Sequence, residues 1–94
     1  MSEEIVVSGE DALRVADALN STSLRLLQLL SNERLDISTM ADRLNLSQPY
    51  VSEQIRKLQE TNLVRVNYES GKRGIRKICE LAVKKVTIVI KPQT

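Results

Sequence analysis

The chain is expected to fold as a mainly helical α+β domain: four or five short helices, then a small β wing, with a short strand at each terminus. Three observations carry this expectation. Apolar residues recur at three- and four-residue steps as far as Leu58, and the runs open on residue types that cap helices. After Thr61-Asn62 the pattern alternates with a period of two, and Gly71-Lys72-Arg73-Gly74 supplies a turn. A short helix, a tight Leu46-Ser47 turn, a second amphipathic helix and a basic hairpin, in that order, is the arrangement of a winged helix-turn-helix.

The N-terminal part begins with Ile5-Val6-Val7, a β-branched run interrupted by Ser8-Gly9. Ser8 followed by Asp11 resembles a capping box, and a first helix from about Glu10 to Leu19 would turn Ala12, Leu13, Val15, Ala16 and Leu19 inward and leave Arg14 and Asp17 outward. Asn20-Ser21-Thr22-Ser23 then caps a second helix. In it Leu24, Leu27 and Leu30 form the inward stripe, and Leu26 and Leu29 widen it, as expected of a helix packed on two sides.

Asp36 is a good N-cap for a third helix with Ile37, Met40, Ala41 and Leu44 inward, and Asn45 suits the position after its last turn. Leu46 plugs the turn. Ser47 caps a fourth helix over 47–61, with Pro49 in its first turn, where the missing amide hydrogen costs nothing. Val51, Ile55 and Leu58 form its inward stripe.

Leu63 to Glu69 reads as a strand with Val64, Val66 and Tyr68 on one face and Arg65, Asn67 and Glu69 on the other; Ile75 to about Leu81 returns beside it. Val86 to Ile90 is dense in β-branched residues that disfavour helix, so a last strand is expected, closed by Lys91-Pro92. Left unpaired it would be an aggregation-prone edge, and Ile5-Val6-Val7 is its best partner, within one chain or between two. One domain over 1–94 is therefore expected, with a core over 10–81 and terminal strands at about 4–8 and 85–91.

Charge is distributed unevenly although the formal net value is only +2. Residues 1–46 hold four basic and eight acidic side chains, whereas residues 47–77 hold seven basic and three acidic. The second helix of the motif and the hairpin thus form a basic end suited to a polyanion. On the fourth helix, Pro49, Glu53 and Arg56 lie opposite the apolar stripe, with Gln48, Tyr50, Ser52 and Lys57 on the flanks and Ser47 at the start.

Those side chains suit a DNA groove. Gln48 can pair bidentately with an adenine edge, Arg56 can contact guanine or phosphate, Glu53 can accept from cytosine, and Ser52 and Tyr50 suit phosphate oxygens. Lys72 and Arg73 at the turn and Arg76 and Lys77 on the returning strand would meet the flanking backbone or minor groove. About six phosphate contacts would lower affinity roughly a thousandfold between about 50 and 200 mM salt. The expected function is therefore sequence-specific binding of double-stranded DNA in transcription regulation. The rival is a winged-helix domain that contacts proteins, which would bind no duplex at moderate salt.

The residues also resemble the ArsR-like winged-helix transcriptional regulators, and more closely their archaeal members. The similarity spans about Glu10 to Leu81. It rests on Asp17-Ala18-Leu19-Asn20-Ser21 with Leu24-Arg25-Leu26-Leu27, on Ile37 to Leu44, on Leu46-Ser47-Gln48-Pro49-Tyr50-Val51-Ser52, and on Leu58-Gln59-Glu60-Thr61-Asn62-Leu63-Val64. The resemblance implies a homodimer placing two recognition helices in successive major grooves of a palindromic operator. The chain departs from the pattern at Gln54, where the family has His, and at Asn62, which replaces Gly at a position where αL backbone is tolerated.

The family's metal sensors place cysteines on the third helix, but Leu35 to Met40 has none, and the chain has no His, so metal sensing by those sites is excluded. No cofactor is expected, and the effector is not indicated. No enzyme is indicated either: there is no His, no glycine-rich phosphate loop and no distinctive carboxylate pair. The lone Cys79 excludes an internal disulfide framework and suits a reducing, cytoplasmic setting. A single Cys in a strand pattern is more often a small buried hydrophobe than a redox switch or an intersubunit disulfide. The acidic start lacks an apolar run of signal length, and no segment approaches the ~20 apolar residues that span a bilayer.

Overall fold

The computed structural model describes residues 2–91, with side chains from residue 4 onward. The elements run β1 (Ser2–Val7), α1 (Gly9–Ala18), α2 (Ser21–Leu30), β2 (Leu35–Asp36), α3 (Ile37–Leu44), α4 (Gln48–Glu60), β3 (Val64–Gly71), β4 (Gly74–Leu81) and β5 (Val83–Ile88). Among the described residues, four helices and a wing give the winged helix-turn-helix expected from the sequence.

The core is laid around α4, whose Val51, Ile55 and Leu58 are completely buried against Leu26 of α2, Met40 of α3 and the base of the hairpin at Leu63, Val64 and Cys79. Burying each such aliphatic side chain contributes about 1.5–3 kcal/mol, so α4 is held as a strut rather than a surface helix. Asp36 caps α3, its carboxylate accepting from the Thr39 amide at 2.9 Å, and Asn45 follows in the left-handed region at φ 57°. The Leu46 amide then donates to the Ala41 carbonyl at 2.9 Å, closing the turn that fixes α4 relative to α3.

Two helix expectations are corrected. Ser8 stands at the start of α1 but makes no side-chain cap, and Asp11 instead accepts from Arg14 at 3.2 Å. The buried side of α1 is Val15 and Ala18, whereas Leu13 is 64 % exposed and Ala16 is also exposed, because the helix packs on one face only. On α2 the centre of the buried face is Leu26 and Leu30, with Ser23, and Leu24 is half exposed. Five leucines within seven positions do not encode a rotation. The polar residues do: Asn20 and Ser23 form a reciprocal capping box, and the Asn20 amide donates to Gln54 on α4 at 3.0 Å.

The wing is a three-stranded antiparallel sheet in the order β2-β4-β3. The two-residue β2 was not expected. It pairs Leu35 with Cys79 and Asp36 with Ile78, so the residue that caps α3 also lies beside the hairpin. β3 and β4 run in register from Val64 opposite Leu81 to Gly71 opposite Gly74, leaving Lys72-Arg73 as the loop. Gly74 needs its freedom at φ +112°, and a Cβ on Gly71 would stand 2.8 Å from the Arg76 stem. Tyr68 shares the face of Val64 and Val66 but is 69 % exposed, because the hairpin extends beyond the core.

β1 and β5 pair in parallel within the chain, with Ile5 opposite Val86 and Val7 opposite Ile88, and those four side chains pack against the core. The C-terminal segment is thus a strand, as its β-branched content indicates, and not a dimerising helix. Pro92, expected to close it, lies outside the described residues.

A candidate nucleic-acid interface

Two groups of exposed side chains stand out on this scaffold: the first turns of α4 and the far end of the hairpin. Ser47 caps α4, its hydroxyl accepting from the Tyr50 amide at 3.3 Å, and Ser47, Gln48, Pro49 and Tyr50 are all exposed. Further along the helix, Ser52 and Lys57 are half-buried while Glu53 and Arg56 are exposed. The expected polar face is therefore present, and the buried stripe behind it fixes its direction.

Its charges are not equally available. The Arg56 guanidinium donates to Glu53 at 2.7 and 2.9 Å and to Glu60 at 2.6 Å. These bonds raise the pKa of Arg56 and lower that of Glu53. A base contact from either residue requires breaking a charge-assisted bond already made along the helix. Gln54, by contrast, is buried and points away from the face, bonded to Asn20.

The hairpin divides similarly. Arg76, expected at the DNA backbone, turns back to Asp36, with contacts at 2.7 and 3.2 Å. Hydrogen bonds from Thr39 and Arg76 hold the Asp36 carboxyl well below the usual carboxylate range. Arg34 bonds Glu69 and stands 3.6 Å from Glu80, which also receives Asn67 at 3.0 Å and lies 3.5 Å from Arg65. Glu69 raises the pKa of Arg34, so this arginine stays charged throughout the accessible range.

What remains is a smaller basic set. Lys57 on α4, Lys72 and Arg73 at the tip, and Lys77 on β4 have no ion pair or side-chain hydrogen bond among the described residues. Arg76 and Arg34 brace the wing against the start of α3. No signal in the sequence, where Arg76 and Asp36 lie 40 positions apart, points to this pairing.

Cys79 is completely buried opposite Val66 and Leu35, and burial pushes its thiol up to about 11. That environment suits a packing residue and keeps the nucleophilic thiolate scarce at neutral pH. Among the described residues no group of three His, Cys, Asp or Glu side chains is placed to hold a metal, and no helix is long and apolar enough to cross a membrane.

A family model described as bacterial regulatory protein, arsR family, matches residues 20–66, from the cap of α2 through the first residues of the hairpin. The chain belongs to the arsR family.

Among solved structures, a possible transcriptional regulatory protein of Mycobacterium bovis (fragment 1–100) is 23 % identical with a TM-score of 0.68, the match covering 78 % of this chain and 75 % of that one. Reduced HlyU from Vibrio cholerae is 23 % identical with a TM-score of 0.65, covering 77 % and 73 %. Both show likeness of fold. A point mutant of Lactococcus lactis ZitR, solved in complex with DNA, is 25 % identical with a TM-score of 0.59 over 67 % of this chain and 42 % of its own. No curated protein matches. The family and the fold are those of transcriptional regulators.

Proposed function

We propose that this arsR-family chain is a sequence-specific, double-stranded DNA-binding transcriptional regulator that acts as a homodimer. The observation that carries the reading is a helix-turn-helix whose second helix exposes Ser47, Gln48, Pro49 and Tyr50, with Ser52 half-buried beside them. Next to it stands a braced hairpin whose tip cations have no partner among the described residues. In this reading α4 lies in the major groove, and Gln48 is the principal base-reading side chain. Lys57, Lys72, Arg73 and Lys77 contact phosphates, whereas Glu53, Arg56 and Arg76 contribute only after their internal bonds open. A homodimeric winged helix-turn-helix domain from Mycobacterium bovis and the DNA-bound ZitR support dimeric DNA recognition by this fold.

Residues 1–94 act as one domain in this reading, which is that of a cytoplasmic protein nearer the archaeal-type members of its family. Four phosphate contacts per subunit make eight for the dimer, so affinity should fall by roughly ten-thousandfold between about 50 and 200 mM salt. Recovery of bound fragments from genomic DNA is the direct test. The expected outcome is a palindromic site with half-site centres one helical turn apart, and Gln48→Ala should cost about 1–3 kcal/mol and relax the preference at one base position. Absence of duplex binding at moderate salt would instead identify a protein-contact module.

A further inference from the structure

Tyr68 and Ile75 are 69 % and 77 % exposed, on a hairpin otherwise occupied by polar side chains beyond the core. The register sets Tyr68 opposite Lys77 and Ser70 opposite Ile75, so the two apolar side chains occupy diagonal positions on one face. That face is the one whose inner end, at Val66 and Cys79, is packed in the core. Lys77 stands beside Tyr68 on the core side of Ile75, and Lys72 and Arg73 lie just beyond the pair at the tip.

Nothing among the described residues covers this pad, and an exposed aromatic beside an exposed isoleucine lowers solubility unless a partner uses them. The pattern is an apolar centre framed by cations that have no partner among the described residues. Its complement must offer C–H surface and negative charge together, side by side. The wall of a DNA minor groove does so, with deoxyribose faces between regularly spaced phosphates. A second copy of the same hairpin does not, since it would bring Lys72, Arg73 and Lys77 against their own counterparts.

We propose that Tyr68 and Ile75 form an apolar pad that packs against the deoxyribose wall of the minor groove, with Lys72, Arg73 and Lys77 on the adjoining phosphates. The inference rests on the DNA-binding reading above and assigns two residues that it leaves idle. Contact by the pad releases water but no counterions, so it strengthens binding by an amount independent of salt.

The test uses the full chain and a labelled duplex recovered from genomic fragments, with affinity followed by fluorescence anisotropy across a salt series. Tyr68→Ala and Ile75→Ala should each weaken binding by roughly five- to tenfold. The slope of log affinity against log salt should stay at the wild-type value. Lys72→Ala, which removes one phosphate contact from each subunit, should lower that slope by about 1.8. Filling the minor groove with a polyamide should abolish the difference between wild type and the two apolar variants. Variants that bind like the wild type, or that change the salt slope, overturn the pad; so does loss of self-association in place of DNA affinity. A wild-type chain that binds no duplex overturns the DNA reading itself, a result distinct from binding that ignores Tyr68 and Ile75.

Discussion

At the base of the wing, meaning the paired strands inward of the Gly71–Gly74 turn, Arg34, Arg65 and Arg76 face Glu69, Glu80 and Asp36, and the strands continue into a core of Val64, Cys79 and Leu63. At the tip, Lys72 and Arg73 face solvent with no carboxylate bonded to them among the described residues. Both regions are rich in cations, but among the described residues the arginines of the base are engaged and Lys77 alone there is not, whereas both cations of the tip are unengaged. The base uses its charge to hold the hairpin against the segment that opens α3. Counting basic residues along the sequence therefore overstates the charge available to a polyanion, and it is the position of carboxylates across the sheet that decides which cations remain.

Substitutions ranked by their expected effect on stability should trace this gradient. The largest belongs beneath the base. Leu58→Ala removes a completely buried side chain from the face of α4 on which the hairpin rests, and should cost about 2–5 kcal/mol by urea unfolding. A cost below about 1 kcal/mol would mean that α4 is not the strut described above.

Asp36→Ala comes next, at about 1–2 kcal/mol, since it removes the α3 cap and the anchor of Arg76 together. The pH dependence has a definite sign. The folded carboxyl is held below its ordinary value near ~3.9, so its contribution is full above that value and is lost as pH falls through the folded pKa. Wild-type stability should decline on acidification below about pH 4, and Asp36→Asn should flatten that part of the curve. An unchanged acid limb in Asp36→Asn would place the titration elsewhere.

Arg34→Ala probes the exposed half of the same brace. Its ion pairs to Glu69 and Glu80 are about half exposed on the arginine side, where solvent screening leaves such pairs little net effect. The urea midpoint should accordingly move less than in Asp36→Ala, and less still at high salt. A larger shift would show that Arg34 holds the wing by packing its stem, which the salt series would reveal as a loss indifferent to ionic strength.

Much of this architecture can be read from the residues. The caps Asp36 and Ser47, the αL residue Asn45, the α4 stripe and the turn at Lys72-Arg73 are local features, each set by residues within a few positions of one another. The rotation of α2 was not legible, because leucines surround it and the Asn20–Gln54 bond that selects its buried face spans 34 positions. The same holds for Arg76 and Arg34: nothing in an alternating strand says which arginine will meet an aspartate brought alongside by a two-residue strand. Tyr68 shares a face with Val64 and Val66, but alternation records the face of a strand and not where the core beneath it ends.

The tip should behave in the opposite way to the base. Lys72→Ala with Arg73→Ala removes two exposed cations that hold nothing in place, so the stability measured by urea unfolding should change by less than about 0.5 kcal/mol. In the DNA-binding reading the same double variant should lose affinity for every duplex alike and reduce the salt slope by about 3.6, about 0.9 for each of the phosphate contacts the two subunits surrender. Arg34→Ala supplies the control, since it perturbs stability yet removes a cation that the carboxylates have already neutralised, and its salt slope should match the wild type. If the tip variant instead destabilised the fold, or if Arg34→Ala changed the slope as much as the tip does, the division of labour between base and tip would be wrong. Cations bonded to neighbouring carboxylates would then have to be counted as free for DNA after all.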